Sequence, residues 1–405
     1  MLDLNKIAKQ LPQVGQHLTK EAQASSLRMR RANDYLVKAI DQQSSLEQLQ
    51  IIWNNKFRFG AAIPAEDLST CQDISPPATA HTVLATDGSQ IAPSHHEIAY
   101  CYLINIGRVM IHYGQDLHPL LDSIPEVFYQ TKDLYQSRQW GISTEEWLGY
   151  QRTVDEALLL GDLGFDWANP PIGFEEIVNP QPPKVPTLAM VDGSLIYRFL
   201  EELPSEAREL TIAPILTAWD KLRQAKIPMI SYISSSRSID GLNFLRLLGC
   251  GFPEPDCTKH CIDVERPPCQ IFDGLRDTSL WLNRLQPGQR SCLWQSTARA
   301  LDFYSKEQRV YFCYVNVGAE IARVEMPAWV ATDNQLLDQA LGIMLAQVKK
   351  GQGYPVALAE AHNYAVVRGA DRSSFFALLE REMVKAGLQN VGVSYKERRK
   401  RVSIA

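Results

Sequence analysis

Two acidic residues follow two apolar stretches of similar sequence. Asp87 comes after His81–Thr86 and Asp192 comes after Pro186–Val191, and each acid is followed by Gly-Ser. Apolar, β-prone residues that run into Asp-Gly-Ser predict buried strands that end at an acid. A carboxylate at the end of a core strand is costly to desolvate unless it meets a proton, a cation or several donors. Asp-Gly-Ser is also ordinary turn sequence, but its duplication favours two acids that share a divalent cation.

Further acids and one histidine could complete such a site. Oxygen ligands suit Mg²⁺ or Mn²⁺, and an imidazole shifts the preference towards Mn²⁺. The candidates for a third acid are Asp155 and Glu156, between the two strands, and Glu175 and Glu176, in a later loop. For His362 the more common interpretation is a core histidine that bonds to a neighbour. Metal ions held by acids can activate water and stabilise the leaving oxygen at phosphorus, so the pattern favours phosphodiester hydrolysis.

The composition is that of a globular protein with ample core. Of the 405 residues, 45% are hydrophobic and 21% are charged. The net charge of −5 does not indicate a polyanion partner for the whole surface, although a nuclease can keep its basic residues local. No window approaches the roughly 18 apolar residues of a membrane span, and the first residues do not resemble a signal peptide. We therefore expect a cytoplasmic protein.

The chain divides into three regions by composition. Residues 1–60 are polar and helix-prone, with a break at Pro12, and predict a helical N-terminal arm. Residues 61–80 carry three prolines among small residues and predict a linker. Residues 81–405 alternate strand and helix patterns and predict one α/β domain.

Within this domain, residues 98–106 and 109–113 predict a hairpin around Gly107-Arg108. Ser143-Thr-Glu-Glu146 is a capping box that opens a helix to about residue 160. The Pro-rich residues 162–185 then predict a loop.

A crossover between the two Asp-Gly-Ser strands decides where the acids meet. A right-handed connection would place the 186–191 strand parallel to its neighbour. If that neighbour is the 82–86 strand, Asp87 and Asp192 emerge at the same edge of strands that lie roughly 5 Å apart. The predicted fold is therefore a ribonuclease H-like mixed sheet flanked by helices.

The C-terminal third predicts a second hairpin and two helices. The hairpin covers residues 309–317 and 320–326, and the second helix starts near Pro355. His362 shares one face of that helix with Ala365, which predicts that its side chain points inward.

Eight cysteines are present, and four of them form a Cys-rich insertion at residues 250–269: Cys250, Cys257, Cys261 and Cys269. Disulfides are unusual in a cytosolic chain. The spacing is not that of a standard pair of Cys-x-x-Cys motifs. Free thiols are therefore the preferred interpretation, and a structural Zn²⁺ or iron–sulfur site is the alternative.

Six separated motifs, taken in order, resemble the NurA nuclease family. They are Thr86-Asp87-Gly88-Ser89, Arg152-x-x-x-Glu156, Val191-Asp192-Gly193-Ser194-Leu195, Tyr232-Ile-Ser-x-Ser-Arg237-Ser, Ile321-Ala-Arg323-Val-Glu325-x-Pro327 and Tyr354-Pro355-x-x-Leu358-x-x-Ala361-His362. Each motif is weak by itself, but the ordered set is specific and spans about residues 80 to 401. The resemblance implies a ribonuclease H-like fold and a Mn²⁺-dependent DNA nuclease with 5′-to-3′ exonuclease and single-strand endonuclease activity. It also implies a homodimer that works with a hexameric HerA-type ATPase in double-strand-break end resection and repair.

The resemblance further assigns roles to individual residues. The implied metal ligands are Asp87, Glu156, Asp192 and His362, with Tyr354 beside them in the catalytic site. Arg237, Arg323 and Lys396 are the implied residues for contacting nucleic-acid phosphate or structuring the site.

Three alternatives remain open. The gap of 36 residues between Glu156 and Asp192 is longer than expected for the family, so Glu176 remains a rival third acid. The chain could also be a non-catalytic NurA-like subunit that binds a HerA-type translocase or DNA ends, and a phosphatase of small phosphoesters is a weaker possibility. The presence of both Asp-Gly-Ser acids and His362 favours an active nuclease, because a site without catalytic function could lose these residues.

Overall fold

A computed structural model of the chain describes residues 3–93, 100–170 and 185–387. The chain folds as two compact units, each built from several stretches. The first unit comprises Met1–Ser75, Ser194–Ile196 and Tyr232–Ala331, and the second comprises Pro76–Gly193, Tyr197–Ser231 and Thr332–Ala405. Among the described helices, none is long and apolar enough to cross a bilayer.

The described helices and strands are numbered in chain order. The helices are α1 (Leu4–Ala8), α2 (Leu11–Asp41), α3 (Gln43–Trp53), α4 (Thr131–Tyr135), α5 (Thr144–Ala168), α6 (Ser205–Gln224), α7 (Asp240–Leu245), α8 (Cys257–His260), α9 (Asp277–Leu282), α10 (Ala328–Ala331), α11 (Asn334–Lys350), α12 (Val356–Ala365) and α13 (Gly369–Lys385). The strands are β1 (Ile63–Pro64), β2 (Cys71–Asp73), β3 (His81–Ile91), β4 (Tyr102–Tyr113), β5 (Leu120–Phe128), β6 (Thr187–Asp192), β7 (Met229–Ile233), β8 (Gln289–Ser291), β9 (Trp294–Gln295), β10 (Val310–Asn316) and β11 (Ile321–Pro327).

The first unit is built on the hairpin of β10 and β11, which the sequence predicts. These strands pair antiparallel from Val310↔Pro327 to Asn316↔Ile321. On its other edge β10 pairs with β8 and β9, which pair in turn with β2 and β1. Leu36 of α2 is fully buried in the same core as Phe312, so the C-terminal half of α2 anchors to this unit through its apolar face.

The second unit is built on a mixed sheet in the order β6–β3–β4–β5, with residues 229–231 of β7 next to β6. β3 and β4 pair antiparallel over their whole length, from His81↔Tyr113 to Ile91↔Leu103. β3 and β6 pair in parallel, as predicted. α5 packs against β3, β4 and α6, and α12 packs against β3 and β4. The predicted mixed α/β fold is therefore confirmed.

The hairpin predicted at residues 98–113 is wrong, because β4 runs unbroken through Gly107 and Arg108. Gly107 marks a close approach of two backbones and not a turn. A Cβ atom there would lie 2.3 Å from the carbonyl oxygen of Ala361 and 2.6 Å from the amide nitrogen of Ala365. The glycine thus allows α12 to pack directly onto the strand.

Other boundaries also differ from the predictions. α5 continues to Ala168, so residues 162–168 belong to the helix and not to the predicted loop, and residues 171–184 lie outside the described part of the chain. Residues 61–80 contain the short strands β1 and β2. The division into compact units also joins residues 232–331 to the N-terminal stretch, which a linear change of composition does not reveal.

Candidate active site

The register of two parallel strands brings the two predicted acids to one edge of the sheet. β3 and β6 are paired from Thr82↔Thr187 to Ala85↔Met190. Asp87 and Asp192 each follow two residues after the last of these pairs, so they occupy equivalent positions. The strand interior is fully buried up to Ala85 and Met190. Each strand therefore leaves the core where its acid begins.

Asp192 lies beside Asp87 and is held by two donors. Burial raises the pKa of the Asp192 carboxyl, the negative charge of Asp87 raises it further, and hydrogen bonds from the Tyr354 hydroxyl and the Gly193 amide oppose the rise. Gly193 has φ +84°, in the left-handed region that favours glycine. The Asp-Gly pair therefore turns the chain at the end of β6 while Tyr354 fixes the carboxylate.

Glu156 brings a third carboxylate to the same place from α5. Burial raises its pKa to about 8; the nearby Arg152 opposes the rise, and the charges of Asp87, Asp155 and Asp192 add to it. Arg152 Nε lies 3.3 Å from Glu156 Oε1, one helical turn away. The three acids therefore repel one another, and Arg152 partly compensates the charge of Glu156.

Gly88 makes room for Glu156 against β3. A Cβ atom at this position would lie 2.4 Å from Glu156 Oε1 and 2.7 Å from Arg152 Cγ. The hydroxyl of Thr86 donates to the backbone carbonyl of Glu156 at 2.9 Å, which ties the helix to the strand. In the Thr-Asp-Gly sequence, Thr86 therefore bonds to α5, Asp87 supplies the acid, and Gly88 leaves space for Glu156.

The neighbouring acid Asp155 has a different environment. Burial raises its pKa to about 7, and the charge of Glu126 on β5 adds to the rise. Of the two acids on α5 that the sequence offered, Glu156 is the one that reaches Gly88. Glu175 and Glu176, the remaining candidates, lie outside the described residues.

His362 comes from α12 and contacts the first acid. Its Nδ1 lies 2.8 Å from Asp87 Oδ2. A carboxylate in its ionised form accepts hydrogen bonds, so the tautomer of His362 with its proton on Nδ1 would donate to Asp87. The sequence prediction that His362 points into the core is wrong, because 67% of its side chain is exposed.

Two polar side chains of the sheet hold α12 in position. The Ser89 hydroxyl and the Asn105 amide both donate to the carbonyl of Ala365, at 2.5 and 2.7 Å. These bonds satisfy the C-terminal end of the helix that carries His362. Their role could not be read from the sequence, because it depends on which helix covers the strand pair.

The predicted nucleic-acid contacts have different environments. Arg237 is exposed and makes no ion pair within the described part of the chain. Arg323 is only 3% exposed; it donates from Nε to Glu325 at 2.8 Å and from Nη1 to Asp240 at 3.0 Å. This burial is at odds with a phosphate contact and supports the structuring role of Arg323. Lys396 lies outside the described residues.

The ion pair of Arg323 and Glu325 stabilises the segment that follows Asp192. Glu325 accepts hydrogen bonds from the Ser194 hydroxyl and the Leu195 amide, each at 2.8 Å. A buried carboxylate with three donors is fully compensated. Arg323 and Glu325 are thus structural residues of the first unit.

Within residues 3–93, 100–170 and 185–387, no group of three or more His, Cys, Asp or Glu side chains is arranged to hold a metal ion. The alternative of a Zn²⁺ or iron–sulfur site at Cys250, Cys257, Cys261 and Cys269 therefore has no support. These four thiols are free.

Fold and site together define a class of mixed α/β protein. Its members carry acids at the ends of adjacent parallel strands, a third acid on the helix between those strands and a histidine from a later helix. The NurA domain family matches residues 81–367. Because this match covers more than half of the chain, the protein belongs to the NurA family. The crystal structure of the NurA nuclease from Sulfolobus solfataricus aligns with 95% of this chain and 98% of that chain, at 13% sequence identity and a TM-score of 0.49. A comparison with curated proteins finds no match.

Proposed function

We propose that this protein is a divalent-metal-dependent DNA nuclease that hydrolyses phosphodiester bonds during the processing of DNA ends. The observation that carries the proposal is the equivalent position of Asp87 and Asp192 at the ends of parallel strands. Glu156 of α5 adds a third acid that both of them repel. Membership of the NurA family supports the same activity.

The proposed metal ligands are Asp87, Glu156, Asp192 and His362, and the ion is Mn²⁺ or Mg²⁺. Among the described residues these side chains do not already form a group of three that could hold a metal, so binding requires them to draw together. Carboxylate and imidazole donors nevertheless suit such an ion chemically, and burial and mutual repulsion raise the pKa of Glu156 and Asp192. A divalent cation removes that repulsion. When bound, the ion supplies activation of water and stabilisation of charge on the phosphate oxygens.

The other residues act by orienting these ligands. Tyr354 donates to Asp192 and fixes its carboxylate. Arg152 holds Glu156 beside Gly88. His362 contacts Asp87 through Nδ1 and is largely exposed, so it is proposed to orient Asp87 from the solvent side. Such outer contacts typically change activity or metal affinity by roughly 10- to 100-fold when they are removed.

We extend the proposal to the finer activities that the family resemblance implies. These are Mn²⁺ dependence, 5′-to-3′ exonuclease and single-strand endonuclease action, and end resection in double-strand-break repair as a homodimer with a HerA-type hexameric ATPase. The exposed Arg237, together with Lys396, is proposed to contact DNA phosphate. No sequence reading by base edges is required for such an activity, since phosphate contacts alone provide non-specific affinity.

Digestion of end-labelled DNA tests the proposal. The full chain is incubated with 5′- or 3′-labelled single- and double-stranded DNA in Mg²⁺ or Mn²⁺, alongside Asp87→Asn and Asp192→Asn. We expect each substitution to lower the rate by at least about 100-fold, because a ligand that acts in the transition state is lost. Asp166→Asn, which changes an exposed acid of α5, is the matched control and should cleave like the wild type.

The outcomes separate the alternatives. Full cleavage by both Asp87→Asn and Asp192→Asn would remove the catalytic assignment. Absence of cleavage under any divalent ion, with tight binding to a HerA-type ATPase, would favour a non-catalytic subunit. Hydrolysis of p-nitrophenyl phosphate without action on DNA would favour a phosphatase.

A further inference from the structure

A cavity of about 290 Å³ lies in the second unit between β4, β5 and the end of α12. Its lining includes the apolar side chains of Ile91 and Leu103 and the aromatic side chains of Tyr364 and Phe375. Ligand pockets range from roughly 300 to 1,000 Å³. The cavity therefore suits a single planar ring system and not a large cofactor.

The strand register relates this cavity to Asp87. Side chains alternate along a strand, so Asp87, Ser89 and Ile91 share one face of the sheet. Their partners on β4 are Gly107, Asn105 and Leu103, in that order. Two residues span roughly 7 Å. The cavity, which Asn105 and Leu103 line, thus begins a distance from Asp87 that one or two nucleotides of a single strand can cover.

α12 contributes one residue to each place: His362 contacts Asp87, and Tyr364 lines the cavity. Tyr364 lies two residues after His362 and is 39% exposed. The hydrogen bonds from Asn105 to the carbonyls of Tyr364 and Ala365 fix this end of the helix. The backbone that carries Tyr364 is therefore fixed next to the cavity. Because residues two apart on a helix point to different sides, Tyr364 lines the cavity while His362 contacts Asp87.

The charge of the lining excludes a phosphate as the occupant. Among the lining residues Asp371 carries a carboxylate, and there is no lysine, arginine or histidine. Its carboxylate accepts from the Arg368 amide at 2.9 Å, so it is fixed in place. An anion would be repelled, whereas a neutral aromatic base can stack on Tyr364 or Phe375 and donate from its edge to Asp371.

We propose that this cavity binds a nucleobase of the DNA strand next to the cleaved phosphate. The inference rests on the proposed function, since it names how the substrate of that same site is recognised. Stacking of this kind tolerates any base, because every base has a π face. The cavity would hold a single-stranded segment in place without selecting a sequence.

Equilibrium binding in EDTA tests the inference without requiring cleavage. The full chain is titrated into a fluorescent short oligothymidylate and into an abasic analogue of the same length. We expect the wild type to bind the base-bearing strand on the order of tenfold more tightly. Tyr364→Ala should lose most of this preference, and Tyr364→Phe, which keeps the ring, should retain it.

Tyr129→Ala is the matched control, because Tyr129 is 69% exposed and does not line the cavity. It should preserve the preference for bases. Equal binding of both strands by the wild type would overturn the inference, and so would an unchanged preference in Tyr364→Ala. If the preference depends on Tyr364 but DNA is never cleaved, the base site stands and the nuclease proposal fails.

Discussion

At the scale of single residues, the site is defined by acids that the folded chain holds against their preference for solvent. Glu156 is the clearest case, because burial raises its pKa to about 8 from a usual 4.5. The folded protein without metal therefore binds a proton that the unfolded chain releases at lower pH. This stabilisation is complete below about pH 4.5 and is lost as the pH rises through 8.

Glu156 thus gives a prediction for the metal-free protein. In EDTA, we expect the free energy of unfolding to fall between about pH 5 and pH 8, since charging a buried acid opposes folding. Glu156→Gln should make this dependence shallower, leaving the contributions of other acids with a raised pKa, such as Asp155 at about 7 and Asp192. Urea unfolding at a series of pH values measures the effect. Glu145→Gln, at an exposed position of α5, should keep the wild-type slope, and an unchanged slope in Glu156→Gln would contradict the prediction.

At the scale of elements, two glycines let the helices approach the paired strands β3 and β4, of which β3 carries Asp87. Gly107 brings the backbone of α12 onto β4, and Gly88 brings Glu156 of α5 onto β3. At both positions an added Cβ would approach another atom to less than 2.5 Å, so something must move. At Gly107 the obstacle is backbone, which cannot rotate away as a side chain can.

Substitution of these glycines by alanine separates the two contacts. Gly107→Ala should lower the free energy of unfolding by roughly 1–3 kcal/mol, because α12 must shift away from the sheet. Gly88→Ala should lower activity more than stability, because the displaced group is a side chain of the site. Gly149→Ala, a position of α5 with no atom within 4 Å of the added Cβ, should be neutral or stabilising by about 0.4–1 kcal/mol. Denaturant unfolding and nuclease assays on the three variants give the comparison, and equal stability of Gly107→Ala and the wild type would refute the packing argument.

At the scale of the whole molecule, metal binding should raise the free energy of unfolding. A ligand that binds only the folded state raises the free energy of unfolding by about 2.7 kcal/mol at a hundred times its dissociation constant. We therefore expect the melting temperature to rise with Mn²⁺ concentration in the wild type. Asp192→Asn should show little rise, because one ligand is lost while the fold remains. Differential scanning calorimetry measures both, and an identical rise in the two proteins would place the bound ion elsewhere.

Much of this protein follows from local sequence. Apolar stretches that end in Asp-Gly-Ser specify β3 and β6, and the capping box at Ser143 specifies the start of α5, where the Ser143 side chain accepts from the Glu146 amide. Such features depend on residues within one turn or one strand. The hairpin of β10 and β11 is also local enough to be predicted, because only a short turn separates its two strands.

Tertiary structure decided the rest. Gly107 looked like a turn because a glycine in a strand signals either a bend or a close approach, and only the packed helix distinguishes them. His362 looked like a core residue because periodicity gives a face of the helix but not its partner, and the structure turns that face to Asp87 at the exposed edge of the sheet. The residues alone left Asp155 and Glu156 open as the third acid, because both lie on one helix, and the family resemblance implied Glu156. In the structure Glu156 is the one that packs against Gly88.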